Sequence, residues 1–293
     1  MNKKSDKERV TINITSNILK TIDSRIDGQK IRNRSHAIEY LVRKAIQSTD
    51  LSTAFILAGG KGTRLRPLTD NTTKPMIPVN EKPILEYVIE LLAKYDVRNA
   101  IIALGYKGEQ IKEYFGNGEK WNINIEYVTE KKPLGTGGPL RLARNLLVDE
   151  FLMFNGDNLT NINLKDMHTF HKKNNAYATI ALSSVKDPKN FGVIELQGNQ
   201  IKRFIEKPTK PESNLINAGT YILKPEVIDL IPKGFSLIEK DVFPQLSEEG
   251  KLYGYVYNGQ WFPTDTIERY EKAKKEWKGI IWFFIGGIKW KKY

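Results

Sequence analysis

The hydrophobic pattern after residue 50 predicts short strands alternating with helices. Apolar runs at 54–57, 151–154 and 201–205 have the length of buried strands, and each leads into glycine or charged residues. Residues 164–173 are read instead as a helix. Because α/β folds place their binding sites directly after strands, these strand ends are the first candidates for function.

Before residue 50 the pattern predicts one strand and two helices. Apolar and polar residues alternate strictly over 9–14, which is typical of a strand with one buried face. Thr15 and Ser16 suit the cap of a first helix that ends at Gly28, and Ser35 suits the cap of a second. The positions expected to face inward are Ile18, Leu19, Ile22, Ile26, Ala37, Ile38, Leu41, Val42 and Ala45. So short a segment cannot bury a core alone, and we therefore expect a partner chain.

This strand–helix–helix pattern, with the triplet Asn-Arg-Ser at 33–35, resembles the ribbon-helix-helix DNA-binding family. The resemblance implies that two chains pair their strands into a ribbon that enters the major groove of DNA. It also implies that Arg9, Thr11 and Asn13 face base edges, and that backbone N–H groups near Ser35 hold a phosphate. The first fifty residues carry eleven Lys and Arg against six Asp and Glu, which suits a nucleic-acid partner. The alternative is a dimerisation module whose polar strand face is only solvated.

The densest chemical signal is the glycine-rich segment 57–69, LAGGKGTRLRPLT. Its three glycines allow a tight turn and a close approach of backbone N–H groups to a polyanion. Arg64 suits bidentate contact with phosphate, and Lys74 adds a point charge. The spacing excludes a Walker A loop, and Leu65 stands where a dinucleotide fingerprint needs its third glycine. The segment therefore predicts a phosphate site, with a purely structural turn as the alternative.

Further motifs follow along the chain, and together they resemble those of the sugar-1-phosphate nucleotidyltransferases. They are Lys74-Pro-Met, Lys82-Pro-Ile, Gly105-Tyr-Lys-Gly108, Pro133-Leu-Gly-Thr-Gly-Gly138, Asn155-Gly-Asp157, Phe191-Gly-Val193, Ile205-Glu-Lys-Pro208 and Asn217-Ala-Gly219. The resemblance implies an α/β fold, namely a three-layer α/β/α, Rossmann-like domain with a mixed, mostly parallel sheet. We therefore predict a ribbon-helix-helix domain at 1–48, a transferase domain at 53–278 and an apolar, basic tail at 279–293.

The resemblance implies a reaction in which a sugar-1-phosphate and an NTP give an NDP-sugar and pyrophosphate. The sugar phosphate oxygen attacks the α-phosphorus in line, and a phosphate monoester needs no general base because it is already anionic near neutral pH. Catalysis is then positioning and charge neutralisation. By the resemblance, Arg64 contacts the triphosphate, Lys74 reaches the sugar phosphate or the α-phosphate, and Asp157 completes the catalytic set.

Asp157 and Asp265 are the two expected ligands of the cofactor, Mg²⁺. Asp157 follows a strand candidate, where a carboxylate is well placed for a cation that prefers oxygen. Most of the resembled family has Trp-x-Asp-x-Gly-Thr near its end, whereas this chain has Pro263 at the aspartate position and Asp265 at the glycine position. The arrangement is similar to a variant in glucose-1-phosphate cytidylyltransferases, and on that basis Asp265 is the second ligand. If its geometry does not permit this, activity is in doubt.

The resemblance also assigns residues to both substrates. The nucleotide-binding set is Leu57, Ala58, Gly59, Gly60, Gly62, Thr63, Arg64, Gly135 and Thr136, and the sugar-phosphate set is Tyr106, Gly192, Glu206, Lys207 and Asn217. The Leu-Gly-Thr-Gly-Gly form is similar to mannose-1-phosphate guanylyltransferases, but the metal motif is similar to cytidylyl enzymes. GTP and a hexose-1-phosphate are therefore favoured, with CTP, UTP and dTTP left open.

Composition limits the setting of this chemistry. The chain has 293 residues, a net charge of +12 and no cysteine, which leaves no disulfide framework and fits a cytoplasmic location. A polar N-terminus predicts no signal peptide, and the longest apolar run, 280–288, is too short to span a membrane. His168 and His171 are spaced like a metal pair, but without a further ligand they are read as ordinary helix residues. We expect a homodimer or a higher homo-oligomer.

Two hypotheses therefore compete. The first is an active Mg²⁺-dependent nucleotidyltransferase that carries an N-terminal dimer able to bind DNA. The second is a DNA-binding transcriptional regulator whose transferase-like domain senses a nucleotide sugar without turnover. The first hypothesis is favoured by the complete set of charged site residues, Arg64, Lys74, Asp157, Glu206 and Lys207. The displaced Asp265 favours the second.

Overall fold

The computed structural model describes residues 11–28, 31–47 and 51–280, without the side chains of 43–47. Its contacts separate the chain into two compact units, one ending at Gln47 and one beginning at Ser48. Residues 281–293 of the tail predicted at 279–293, and the predicted strand residues Arg9 and Val10, lie outside the described residues. Within the described ranges, none of the helices is both long enough and apolar enough to cross a bilayer.

The N-terminal unit contains two helices, α1 (Ser16–Asp23) and α2 (Arg34–Gln47). The first helix ends at Asp23 rather than at Gly28, so Ile26 lies beyond it. The predicted cap of the second helix is also wrong, because the helix already includes Ser35. Asn33 takes that role, since its side-chain oxygen accepts a hydrogen bond from the N–H of His36 at 2.9 Å.

The small core of this unit is consistent with the predicted need for a partner chain. Its buried apolar residues are Ile22, Ile31 and Ala37. Ile18 and Val42, both expected to face inward, are 53% and 50% exposed in the single chain. Residues 11–14 have no regular secondary structure here, and a two-stranded ribbon would require the second copy. The ribbon therefore stays a prediction.

The second unit is built on a mixed sheet of nine strands. In chain order they are β1 (Thr53–Ala58), β4 (Asn99–Leu104), β5 (Asn124–Thr129), β6 (Phe151–Asn155), β8 (Ala178–Ser184), β9 (Gly192–Gln197), β10 (Gln200–Glu206), β11 (Leu215–Leu223) and β12 (Leu252–Val256). Their spatial order is β5-β4-β1-β6-β11-β8-β12-β10-β9. The pairings make β10 and β11 antiparallel to the other seven strands, so the predicted mostly parallel sheet is confirmed.

Two short two-stranded pairs and seven helices complete the described part of this unit. The pairs are β2 (Pro78–Val79) with β3 (Lys82–Pro83), and β7 (Asn158–Thr160) with β13 (Trp261–Pro263). The helices are α3 (Ile84–Lys94), α4 (Glu109–Phe115), α5 (Gly138–Leu142), α6 (Leu164–Lys173), α7 (Ile238–Asp241), α8 (Phe243–Glu248) and α9 (Ile267–Glu276). Short 3₁₀ turns lie at Thr63–Leu65, Lys74–Met76, Glu119–Trp121 and Pro225–Leu230.

Helices cover both faces of the sheet, which confirms the three predicted layers. Along β1, Ala54 and Ile56 belong to one buried cluster, whereas Phe55 belongs to the other. This alternation is the two-residue period of a strand buried on both sides. Helices α3, α4, α6 and α9 supply the first cluster, and α5, α7 and α8 supply the second.

Candidate active site

The main candidate site is a cleft of about 590 Å³ at the carboxyl ends of the parallel strands β1, β4, β5 and β6. An α/β sheet binds ligands at this edge because the strand ends and their loops converge there. Its lining residues are Leu57, Ala58, Gly59, Gly60, Lys61, Lys74, Pro75, Gly105, Tyr106, Glu130, Lys131, Lys132, Pro133, Gly135, Thr136, Asn155, Gly156, Asp157 and Phe235. The cleft thus brings together most of the predicted nucleotide set and both Lys74 and Asp157.

Gly62 of the 57–69 segment is required by its geometry, and Gly59 lies tightly between Glu130 and the Gly105 backbone. Gly62 has φ +63°, and a Cβ there would lie 2.8 Å from Thr69 Cγ2 and 3.1 Å from Lys74 Cβ. A Cβ on Gly59 would lie 2.5 Å from Glu130 Oε1. A Cβ on Gly60 would meet open space instead. The first two glycines therefore shape the loop, and Gly60 leaves room above it.

Lys74 and Asp157 form an ion pair at the floor of the cleft. The Lys74 side chain is only 10% exposed, whereas Asp157 is 33% exposed. Asp157 directly follows β6 and Gly156, as the sequence predicted. The buried lysine therefore holds the carboxylate at the strand end, next to the glycine-rich segment.

Hydrogen bonds from Thr264 hold the segment that carries Asp265 beside Asp157. The buried Thr264 donates its hydroxyl to the Asp157 carbonyl oxygen at 2.7 Å and its N–H to the same oxygen at 3.3 Å. Each Asp265 oxygen faces an arginine, Oδ2 with Arg64 at 2.8 Å and Oδ1 with Arg269 at 2.8 Å. The displaced carboxylate is therefore part of the site rather than a surface residue.

The two arginines also lower the pKa of the Asp265 carboxyl. Burial alone would raise the pKa of this carboxyl, but the hydrogen bond and charge of Arg269, with the charges of Lys74 and Arg64, lower it overall. Asp265 is thus held as a carboxylate near neutral pH.

The donor set at this point suits Mg²⁺. Asp157 and Asp265 lie on segments that Thr264 joins by hydrogen bonds, and Lys74, the partner of Asp157, also contributes its charge at Asp265. The described residues contain no group of three or more acidic, histidine or cysteine side chains that could hold a metal ion. Mg²⁺ is commonly held by one or two carboxylates together with substrate phosphates and waters. The residues present therefore fit the ion if a phosphorylated substrate supplies the remaining oxygens.

The predicted sugar-phosphate residues form a second cluster. Glu206 pairs with Lys207 at 3.1 Å, and the Lys207 N–H donates to the Phe191 carbonyl at 3.0 Å, which brings Gly192 beside them. A Cβ on Gly192 would lie 2.5 Å from Phe204 Cζ and 3.0 Å from Glu206 Oε2, so this glycine leaves room for the two side chains of β10.

Asn217, also predicted for the sugar phosphate, is linked to the cleft lining through Tyr221. Its side-chain amide donates to the Tyr221 hydroxyl at 2.9 Å, and that hydroxyl also hydrogen-bonds Asn155, which lines the cleft. Tyr106, by contrast, lies in the nucleotide cleft, where its N–H donates to the Gly59 carbonyl at 3.2 Å.

The short helix α7 and the residue Ser236 before it hold the loop that carries Gly135 and Thr136. Gly135 bridges to Ser236, and the Thr136 hydroxyl donates to the carboxylate of Glu239 in α7. Burial raises the pKa of Glu239, although its hydrogen bond with Thr136 opposes the rise. These contacts fix the loop at the cleft wall.

The structure adds site residues that sequence reasoning did not single out. Glu130 lines the cleft directly after β5, and Arg269 binds Asp265 from α9. The spacing of Arg269 four residues after Asp265, on a helix, was a usable signal. Glu130 could have been found as Asp157 was, as a carboxylate at the end of a strand. Asn155 was inside a quoted motif but was not given a role.

His168 and His171 lie in α6, as predicted, and are buried. Their Nε2 atoms lie 3.6 and 3.8 Å from the Glu150 carboxylate, and Lys172 pairs with the same group at 3.0 Å. Burial lowers the pKa of His171 to about 4, although the Glu150 charge opposes this. The histidines are thus structural residues away from the cleft lining.

The match to known proteins agrees with this geometry. The model of the nucleotidyl transferase family matches residues 53–279. The chain therefore belongs to the nucleotidyl transferase family.

Two individual relatives show which nucleotidyl transferases the chain resembles. The chain is 42% identical over 215 residues to a mannose-1-phosphate guanyltransferase of Yarrowia lipolytica, covering 70% of this chain and 58% of that protein. It is 41% identical over 252 residues to the mannose-1-phosphate guanylyltransferase catalytic subunit beta of Xenopus tropicalis, covering 80% and 70%. This chain thus spans less than two thirds of the first relative's length.

A solved structure shares the fold. A crystal structure of a putative glucose-1-phosphate thymidylyltransferase from Bacillus anthracis, in complex with a sucrose, superposes with a TM-score of 0.72 at 26% identity. It covers 76% of this chain and 94% of that one. The fold prediction for the second unit is therefore confirmed.

Proposed function

We propose that the second unit transfers a nucleotidyl group from an NTP to a sugar-1-phosphate, with GTP and mannose-1-phosphate as the preferred pair. The observation that carries the proposal is the convergence of Lys74, Asp157, Asp265 and Arg64 beside a cleft lined by the glycine-rich segment. The similarity to mannose-1-phosphate guanylyltransferases supports the choice of substrates.

The residues of the chain perform this reaction by positioning and by neutralising charge. A sugar phosphate oxygen forms a bond to the α-phosphorus, the bond from that phosphorus to the bridging oxygen of the β-phosphate breaks, and pyrophosphate leaves with the electron pair. Lys74 lies at the floor of the cleft for the α-phosphate, and Arg64, 61% exposed, is free to swing toward the leaving phosphates. Lys207 holds the incoming sugar phosphate beside Glu206, which accepts from sugar hydroxyls.

Asp157 and Asp265 would hold Mg²⁺ in this scheme. When bound, the ion offsets negative charge on the phosphates of both substrates. In the chain without ligands, Lys74 and the two arginines neutralise the same two carboxylates. Substrate binding then exchanges the ion pairs of Lys74 and Arg64 for contacts with phosphate.

Glu130 supports guanine as the base. Its Oε2 accepts the N–H of Leu134 at 2.7 Å, and its carboxylate lies at the cleft wall beside Gly59. Burial raises the pKa of Glu130, although the Leu134 hydrogen bond opposes the rise. Guanine presents two adjacent N–H donors on its Watson–Crick edge, which suit a carboxylate acceptor, whereas uracil and thymine present one.

The test is pyrophosphate release by the full chain with Mg²⁺, over GTP, CTP, UTP, dTTP and ATP against mannose-, glucose- and galactose-1-phosphate. We expect turnover with GTP and mannose-1-phosphate. Glu130→Gln should reduce the preference for GTP over UTP by about tenfold, because it replaces one acceptor with a donor. Absence of turnover on every pair, with nucleotide still bound, would favour the sensor hypothesis instead.

For the N-terminal unit, we propose a ribbon-helix-helix dimer that binds DNA. Support comes from the exposure of Ile12 and Ile18, both 53%, beside a core with three buried residues among the side chains that the structure describes here. The polar residues Thr11 and Asn13 are exposed as well, which leaves them accessible to a partner. A second copy would cover the apolar positions and complete the ribbon.

The DNA proposal is tested by fluorescence anisotropy with a 30-base-pair duplex of random sequence at several salt concentrations. We expect binding whose logarithm falls linearly with the logarithm of salt, and weaker binding for Asn13→Asp. A dimer that binds no duplex at low salt would leave the unit as a dimerisation module.

A further inference from the structure

We propose that Arg269 is a positioning residue that aims the Asp265 carboxylate and connects it to the sugar-phosphate cluster through Phe191. The proposal rests on the proposed function, because it concerns how Asp265 is held for a metal ion. It starts from an asymmetry between the two arginines that face Asp265.

Arg269 is held much more firmly than Arg64. Its guanidinium contacts Asp265 Oδ1 at 2.8 Å and lies over the Phe191 ring, 4.4 Å from the ring centre. The Arg269 side chain is 24% exposed, whereas that of Arg64 is 61% exposed. A stacked, half-buried guanidinium loses little freedom on forming its ion pair, so Arg269 is the lasting partner and Arg64 the exchangeable one.

The helix start behind Arg269 is also fixed. Thr266 caps α9, since its hydroxyl accepts the N–H of Arg269 at 3.3 Å. Asp265 directly precedes this cap, and its carboxylate meets the Arg269 side chain of the first helical turn at 2.8 Å. The capped turn therefore fixes the backbone from which Arg269 reaches Asp265.

Phe191 extends this contact to the sugar-phosphate residues. Its ring packs edge-on against Trp261 at 5.7 Å, and its carbonyl accepts the N–H of Lys207 at 3.0 Å. Trp261 in turn donates its indole N–H to the Ala218 carbonyl at 2.8 Å, on the strand that carries Asn217. A displacement of Arg269 would therefore be transmitted to Lys207 through Phe191.

The effect of losing Arg269 follows from the position of the second carboxylate, which this chain has at Asp265. Without Arg269, the exposed Arg64 is the remaining arginine at the Asp265 carboxylate, and it would engage both oxygens as a bidentate pair. That pairing would withhold the carboxylate from a metal ion and would also keep Arg64 away from phosphate. The loss of one positive charge would thus weaken, rather than strengthen, cation binding.

The experiment measures Mn²⁺ binding to the full chain by electron paramagnetic resonance with saturating GDP-mannose, which requires no turnover. We expect Arg269→Gln to weaken Mn²⁺ binding about tenfold and Arg269→Lys to weaken it less, because lysine keeps the charge but not the planar stack. In turnover assays, the KM for mannose-1-phosphate should rise about fivefold, and the KM for GTP should rise as well because Arg64 is withheld from the triphosphate.

Phe191→Leu provides a second, milder perturbation that leaves the ion pair in place. It should raise the KM for mannose-1-phosphate. Adding it to Arg269→Gln should have little further effect, because both substitutions remove the same contact between Arg269 and Phe191. Lys272→Gln, on the exposed side of the same helix, is the matched control and should change neither quantity.

The outcomes separate this inference from the proposed function. Unchanged or tighter Mn²⁺ binding in Arg269→Gln, in a chain whose wild type turns over, would overturn the positioning role alone. Additive effects of the two substitutions would overturn the connection through Phe191. A wild-type chain that binds no Mn²⁺ with nucleotide sugar present would overturn both the inference and the metal site.

Discussion

The two units of this chain differ in how completely each buries its own apolar surface. The second unit packs helices onto both faces of a nine-stranded sheet, and its two buried clusters include large side chains such as Phe55 and Phe154. Among its described side chains, the N-terminal unit buries three apolar residues and leaves Ile12 and Ile18 half exposed. We therefore propose that the second unit is a self-sufficient scaffold for the proposed reaction and that the N-terminal unit is an association module that a partner chain completes.

The largest expected effect concerns the chemistry of the second unit. Asp157→Asn should reduce turnover by about 10³-fold, because it removes a metal-binding charge next to the reacting phosphates. Pyrophosphate release measures this change. Asp149→Asn, an exposed position shortly before β6, is the matched control and should retain activity. If Asp157→Asn keeps full turnover, the cleft is not the site of reaction.

A smaller effect should appear in the stability of the same unit at low pH. Because the pKa of His171 is about 4 in the folded chain and about 6.5 when exposed, the unfolded chain binds the proton more tightly. The free energy of unfolding should therefore fall by about 3 kcal/mol as pH drops from 6.5 to 4. Groups facing this histidine are Glu150, His168, Lys172 and Lys224.

Chemical denaturation at pH 7 and pH 4.5 measures this dependence. His171→Gln keeps a partner for Thr179, whose hydroxyl lies 2.8 Å from Nδ1, and should flatten the profile. A profile that is equally steep in this variant would assign the loss of stability to other groups.

The smallest effect on catalysis should come from the N-terminal unit. Ile18→Lys places a charge on the exposed apolar surface and should convert the dimer to monomers, while turnover stays within about twofold. Sedimentation velocity and pyrophosphate release measure the two quantities. Thr21→Lys adds the same charge at an exposed polar position of α1 and should leave the dimer intact. An unchanged mass for both variants would remove the apolar surface as the dimer contact.

Local patterns predicted much of this molecule. The strands at 53–58 and 151–155 and the helix at 164–173 follow from apolar runs and spacing, and the glycine-rich segment does lie at a strand end. Asp157 could be placed because the end of a buried parallel strand is a fixed position in such folds. These features depend on residues close together in sequence.

Other features depend on contacts between distant segments, which no local pattern reveals. The pairing of Arg64 with Asp265 joins the beginning and end of the second unit. Glu239 reaches Thr136 from a helix whose sequence shows no functional signal. The cap of α2 was misassigned for a different reason, because Asn33 and Ser35 are both good caps and the choice between them depends on where the turn begins.

The most direct test of the account compares the full chain with a chain that begins at Leu51, using pyrophosphate release at saturating GTP, mannose-1-phosphate and Mg²⁺. The account predicts equal turnover per chain, with the shorter chain losing its dimer and its affinity for duplex DNA. Loss of turnover on removal of the first fifty residues would contradict the division into a self-sufficient scaffold and an association module. Absence of turnover in both chains would contradict the proposed reaction itself.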